Sequence, residues 1–269
     1  MIAEIGGRRF AWGSRTYVMG IVNVTPDSFS GDGLGGDHDA AVARGIRMVR
    51  EGADILDVGG ESTRPGHVPI TVAEEIERTE SVVRRLAHEA GVPVSIDTYK
   101  LEVAECAQKA GATMLNDVWG LTRSPALADL AARAGCALVV MHNQEGTEYS
   151  GDMMAEIKRF LAASVERAVD AGVRREKIIV DPGIGFGKTA DQNWEVMRRF
   201  AELRDLRQPI LVGTSRKSFI GKLLDLPADD RLEGTISTNV AAVLRGADIV
   251  RVHDVAQVTR AIRVADQMR

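Results

Sequence analysis

Residues Ala137–Gly183 read ALVVMHNQEGTEYSGDMMAEIKRFLAASVERAVDAGVRREKIIVDPG. Two short apolar runs, ALVVMH and KIIVDPG, flank Met154–Ala171, where apolar residues recur at helical rather than alternating spacing. Gly172 follows, a residue able to adopt the left-handed conformation that ends a helix. Strand, helix and strand in this order form the crossover that two parallel strands require.

The same unit recurs on both sides. YVMGIVN (Tyr17–Asn23), DILDVG (Asp54–Gly59), PVSID (Pro93–Asp97), TMLND (Thr113–Asp117), PILVG (Pro209–Gly213) and DIVRVH (Asp248–His253) bring the strand candidates to eight. Helical patterns cover Ala40–Glu51, Val72–Ala90, Leu101–Ala110, Ala126–Ala134, Asn193–Leu203 and Ile236–Arg245, and Gly52, Gly91, Gly111, Gly135 and Gly246 punctuate the passage from helix to strand. Right-handed crossovers place all helices outside the sheet. Eight such units predict an α/β fold of the (β/α)8 TIM barrel type, the alternative being an open doubly wound sheet. Ahead of the first unit, EIGGRRFAWGSRTY (Glu4–Tyr17) reads as two short strands, a hairpin expected to close the barrel bottom. With no linker, long-period repeat or low-complexity tract, residues 1–269 are expected to form one domain.

Composition narrows the function. Hydrophobic residues make up 45% and charged residues 27% of the 269, the balance of a globular chain with a sizeable core. Lys and Arg number 34 against 38 Asp and Glu, a net charge of -4, which leaves no basic surplus for nucleic acid. Cys106 and Cys136 lack metal-ligand spacing and lie in Ala-rich stretches, as free buried thiols of a reducing compartment do. No apolar span reaches 18 residues and no basic-then-apolar leader opens the chain, so a cytoplasmic protein without a membrane partner is expected.

In a barrel the C-terminal strand ends meet at one mouth, where chemistry resides. Here they carry Asn23, Asp57, Asp97, Asn116, His142, Asp181, Arg251 and His253, with Lys217 just past the seventh strand. Arg251 and His253, two residues apart, leave the same face and can reach one anion. Closure sets Asn23 beside them, offering a carbonyl oxygen to Mg2+ or an amide to phosphate. Asp181 opens DPGIGFGKT, whose glycines bring backbone close to whatever the carboxylate holds. Gly183 to Gly187 leaves three intervening residues where a nucleotide-binding P-loop has four, so that reading fails and Lys188 is expected to be solvated. Gly31, Gly33, Gly35 and Gly36 make a glycine-rich loop read as a lid.

Taken together, MGIVNVTPDSFSGDG (Met19–Gly33), GADILDVGGESTRPG (Gly52–Gly66), SIDTYK, NDVWG, DPGIGFGKT, GTSRKSFIG (Gly213–Gly221) and RVHDV resemble the dihydropteroate synthase family over nearly the whole chain. The resemblance implies a transferase that joins p-aminobenzoate to 6-hydroxymethyl-7,8-dihydropterin pyrophosphate, releasing pyrophosphate, with Mg2+ as cofactor and a homodimer as assembly. By motif, Asp97, Asn116, Met141, Asp181, Phe186, Lys217 and Arg251 would hold the pterin. Asn23, Thr63, Arg64, Arg251 and His253 would take the pyrophosphate, Asn23 also holding the metal, and Phe29, Thr63, Pro65 and Ser218 would receive p-aminobenzoate. The catalytic set implied is Asn23, Arg64, Lys217, Arg251 and His253, stabilising a departing pyrophosphate without a general base. Two loops, Thr25–Gly36 and Gly60–Val68, would exclude water from the pterin cation.

Two departures stand out. The first loop reads SFSGDG where SFSDGG is commoner, shifting the acidic residue to Asp32, and MHNQEG replaces MHMQG after the fifth strand, so His142, Asn143 and Gln144 receive no role. A pterin-dependent methyltransferase domain shares the barrel but needs no pyrophosphate site, which Arg251, His253 and SRKSF argue against. A non-catalytic pterin-binding paralogue is the other alternative.

Overall fold

A computed structural model describes residues 1–24, 38–62 and 68–269. Its eight barrel strands fall where apolar runs lie in the sequence. After a hairpin of β1 (Ile2–Ile5) and β2 (Arg8–Ala11) come β3 (Tyr17–Asn23), β4 (Ile55–Gly59), β5 (Val94–Asp97), β6 (Met114–Asp117), β7 (Ala137–Met141), β8 (Ile178–Asp181), β9 (Leu211–Val212) and β10 (Ile249–Val252). The eight from β3 onward are all parallel, in spatial order β8-β7-β6-β5-β4-β3-β10-β9. The two ends of that order meet through one bridge, Val180 to Ile210, where the Val180 N–H donates to the Pro209 carbonyl at 2.9 Å. The sheet is thus a barrel, and β10 lies beside β3 as closure demands.

Nine α-helices surround it among the described residues: α1 (His38–Glu51), α2 (Val72–Glu89), α3 (Leu101–Lys109), α4 (Ala126–Ala134), α5 (Met153–Asp170), α6 (Ala190–Arg198), α7 (Ser218–Leu224), α8 (Leu232–Leu244) and α9 (Val255–Ala265). Thr71 and Thr189 start α2 and α6 with capping boxes through Glu74 and Gln192. Gly135 ends α4 at φ 65° and ψ 23°, a conformation costly for any residue with a Cβ. Two helices, α7 and α9, exceed the sequence expectation, and the stretch expected over Asn193–Leu203 divides. There α6 starts three residues earlier and stops at Arg198, and a 3-10 turn over Phe200–Leu206 follows. The tighter turn sets Phe200 and Leu203, three apart, on one fully buried face.

Alternation along each strand separates two cores. Outward Val18, Val22, Leu56, Val58, Ile96, Leu138, Val140, Val180, Val250 and Val252 pack under the helices. Inward Met19, Ile55, Met114, Val139, Ile179, Leu211 and Ile249 fill the barrel and meet Ile5, Phe10, Trp12 and Tyr17. The hairpin therefore plugs the bottom, as expected. Its two-residue turn needs positive φ at both centres, which Gly6 (55°) and Gly7 (73°) provide. The Trp12 indole N–H donates to the Glu176 carbonyl at 3.1 Å, and Asp248 accepts from the N–H groups of Gly13 (2.8 Å) and Ile210 (3.0 Å), so the buried indole and carboxylate are matched there, while the Thr113 hydroxyl next to Gly6 has no partner among the described residues. Both cysteines are free; Cys136 is buried, while Cys106, expected to be buried, is only half so.

Candidate active site

Two residues above the apolar plug, the same inward rows turn polar. Ile55 is followed by Asp57, Met114 by Asn116, Ile179 by Asp181 and Ile249 by Arg251. Arg251 binds two carboxylates at once: its Nε donates to Asp57 Oδ2 at 2.6 Å and its Nη2 to Asp97 Oδ2 at 2.7 Å. Asn116 Nδ2 donates to the same Asp57 oxygen at 3.0 Å. Asp57 is 0% exposed, and isolated burial of two carboxylates would cost several kcal/mol each. The guanidinium offsets that cost, and the two acids in turn raise the Arg251 pKa against the effect of burial. Burial nevertheless pushes Asp97 up to about 7, with Arg251 opposing and Asp57 adding like-charge repulsion. One oxygen of each acid, Asp57 Oδ1 and Asp97 Oδ1, is buried with no hydrogen-bond partner among the described residues.

Across the mouth stands a second group. Asp181 Oδ1 accepts the Gly183 N–H at 2.7 Å, and burial raises the carboxyl pKa while Lys217 works against it. Lys217, the residue before α7, donates to the Ile184 carbonyl, and its ammonium sits 4.6 Å from the centre of the Phe186 ring. Burial lowers its pKa to about 8, with Asp181 opposing. Gly185 makes room for that side chain, since a Cβ there would lie 2.9 Å from Lys217 Cδ. Gly213 joins the two groups: a Cβ on it would lie 3.8 Å from Arg251 Cβ and 4.0 Å from Lys217 Nζ. The acid-lined floor and the Asp181–Lys217 wall therefore face one opening.

The remaining expected residues distribute as follows. Asn23 is half-buried at the end of β3, and a Cβ at Gly59 would stand 3.8 Å from both Asn23 Oδ1 and Asp97 Oδ2. His253 Nδ1 lies 2.9 Å from Ser215 Oγ, which also accepts the His253 backbone N–H at 3.2 Å. Met141 is buried next to Gly183, and Ser218 is exposed at the start of α7. Arg251 and His253 share the mouth, but two guanidinium nitrogens of Arg251 are committed to Asp57 and Asp97. Phe29, Thr63, Arg64, Pro65, the shifted Asp32, the loop Thr25–Gly36 and most of Gly60–Val68 lie outside the described residues.

One expectation is corrected. Lys188 is not solvated: it is 8% exposed, and its Nζ lies 2.9 Å from His142 Nδ1 while donating to the carbonyls of Gly183 (3.1 Å) and Phe186 (3.0 Å). A local reading of GFGKT misses this because the imidazole comes from 46 residues away. Asp57 and Ser215 are site residues to which the sequence reading gave no role. For Asp57 the signal was its inward parity with Ile55.

Residues 19–253 match the family model described as pterin binding enzyme. The chain is 47% identical over 264 residues to a dihydropteroate synthase of Clostridium beijerinckii, covering 98% of both chains. It superposes with a TM-score of 0.93 on the crystal structure of dihydropteroate synthase from Clostridium difficile solved in the presence of pteroic acid, at 51% identity over 96% of this chain and 98% of that one. The Xanthomonas albilineans enzyme in complex with 7,8-dihydropteroate gives 0.91 at 38% identity, covering 100% of this chain and 98% of that one. With the barrel, the acid-floored mouth and these likenesses together, the chain belongs to the dihydropteroate synthases within the pterin binding enzymes.

Proposed function

We infer that this protein is a transferase of folate biosynthesis that condenses 6-hydroxymethyl-7,8-dihydropterin pyrophosphate with p-aminobenzoate to give 7,8-dihydropteroate and pyrophosphate. The observation that carries the reading is the convergence on one mouth of buried acceptors, Asp97 Oδ1 among them, with the cations Lys217 and Arg251. A pterin ring presents an amide N–H beside an exocyclic amine, a donor pair that one carboxylate receives with two parallel bonds. Asp181 takes that pair, Asp97 and Asn116 receive further ring nitrogens, Lys217 donates to the ring oxygen, and Met141 and Phe186 form the walls.

Pyrophosphate leaves toward Asn23 and His253, with Arg64 and Thr63 contributed by the second loop. Donors fixed where negative charge grows each lower the barrier by roughly 3 kcal/mol. Arg251, held by Asp57 and Asp97, serves the ring side and the pyrophosphate side from one position. The C–O bond breaks first, its electron pair leaving with pyrophosphate; the neutral arylamine, nucleophilic without a base, then traps the pterin cation and sheds one N–H proton to water or the departing pyrophosphate. Ser218, with Phe29, Thr63 and Pro65, receives p-aminobenzoate.

Mg2+ fits this donor set. No cluster of three His, Cys, Asp or Glu suited to a metal occurs among the described residues, but Asn23 offers a neutral oxygen. A single protein oxygen suits an ion that takes its other ligands from pyrophosphate and water. When bound there, the ion would neutralise part of the leaving group's charge.

A homodimer and a cytoplasmic location complete the proposal. Exposed Leu223 and Leu224 on α7 and Leu244 on α8 support a subunit contact, and two free thiols support a reducing compartment. No helix among the described residues is long and apolar enough to cross a membrane. The test incubates purified protein with pterin pyrophosphate, p-aminobenzoate and Mg2+ and measures dihydropteroate. Product formation is expected; pterin binding without product would assign a binding paralogue instead.

A further inference from the structure

Lys188 has no part in the mechanism above, yet it is buried among groups built for it. A primary ammonium carries three protons, and three acceptors converge on this one: the carbonyls of Gly183 and Phe186 and the Nδ1 of His142. The imidazole is kept neutral, burial and Lys188 together lowering its pKa to about 3, so Nδ1 is available as an acceptor. Its ring is fixed by Phe160 edge-on at 4.9 Å and by Tyr149 at 6.1 Å, and the Tyr149 hydroxyl donates to the Gly187 carbonyl at 3.1 Å. The segment from Pro182 to Gly187 is thereby tied from beneath at three of its carbonyls.

That segment sets the pterin wall. Its Gly183 N–H occupies Asp181 Oδ1, its Ile184 carbonyl receives Lys217, and Phe186 lies under the Lys217 ammonium. Gly183, at φ 70°, passes so close to the His142 carbonyl that a Cβ would collide with it, so the loop packs directly on the His142 backbone. Resting on the assignment of Asp181 to the pterin ring, we propose that Lys188 is a positioning residue for pterin recognition: its ammonium knots the Gly183 and Phe186 carbonyls to His142 and so fixes Asp181 and Phe186 against the ring. Burial lowers the Lys188 pKa to about 7 with Asp181 opposing, and when protonated Lys188 adds to the stronger effects of Lys217, the Gly183 N–H and Arg251 in favouring the ionised Asp181 carboxylate.

The test measures binding of 6-hydroxymethyl-7,8-dihydropterin pyrophosphate by calorimetry for the wild type, Lys188→Met, Asp181→Asn and the double variant. Lys188→Met is expected to raise Kd at least tenfold while the KM for p-aminobenzoate, at saturating pterin substrate, stays within twofold. The double variant is expected to bind within about twofold of Asp181→Asn alone, because both changes disable one contact; a merely structural loss would multiply with it. Wild-type affinity in Lys188→Met, or fully multiplicative losses, overturns the proposal. If Lys188→Met does not fold, Lys188→Gln, which keeps a donor and loses the charge, is put through the same cycle and judged by the same limits. Failure of the wild type itself to bind the pterin substrate would instead overturn the assignment of the site, and this role with it.

Discussion

The barrel has two ends made by the same strands, and they obey opposite rules. At the bottom, Ile55, Ile179 and Ile249 pack on Phe10, Trp12 and Tyr17, and the buried indole N–H and the Asp248 carboxylate have partners. Two residues further along, Asp57, Asp181 and Arg251 form a charged mouth where Asp57 Oδ1 and Asp97 Oδ1 remain unmatched. Those two residues span about 6.6 Å. Folded proteins match nearly all their buried polar atoms, so acceptors left open beside a cation mark the end reserved for a ligand. One end supplies the stability that the other spends.

Changing the two ends separately should break them apart. Phe10→Ala, at the sealed end, is expected to lower unfolding free energy by about 3–5 kcal/mol while leaving pterin affinity unchanged; denaturant titration and calorimetry read the two. Arg251→Ala, at the open end, is expected to cost about 3–5 kcal/mol of stability by stranding Asp57 and Asp97, and to weaken pterin binding as well. A stable Arg251→Ala variant would show that the two acids do not depend on the guanidinium. Asp181→Asn removes a charge-assisted pair and is expected to weaken pterin binding by roughly 1.5–3 kcal/mol with little change in stability.

The smallest effect is a pH dependence. Asp97 in the ligand-free protein is raised to about 7, so below that pH it holds a proton that must leave before it can accept from the ring. Pterin affinity is expected to fall up to tenfold per pH unit below about 7 and to level off above it. The slope should vanish in Asp97→Asn. For folding the sign is reversed: the native state keeps this proton above the ordinary 3.8, so the contribution of Asp97 to stability declines as pH rises from there to about 7.

The fold was largely legible because its signals are local. Apolar runs of four to seven residues gave all eight barrel strands, and Gly52, Gly91, Gly111, Gly135, Gly172 and Gly246, read as helix terminators, all have positive φ. The division after Arg198 was not legible, since a 3-10 turn keeps apolar spacing close to that of a helix. The site was legible in its inward parity and not in its pairings. Asp57 and Arg251 are 194 residues apart, and only barrel closure brings them to 2.6 Å. Lys188 looked like an ordinary surface lysine because its three acceptors are assembled by the loop itself and by β7's neighbour His142.

One seam of the cylinder is stitched more loosely than the others. Between β8 and β9 a single bridge does the work that two to five residue pairs do elsewhere around the sheet. A wall opens first where it has fewest stitches. This one runs between the strand that ends in Asp181 and the strand that leads to Lys217, so any loosening of the cylinder at this seam is expected to change the spacing of those two side chains.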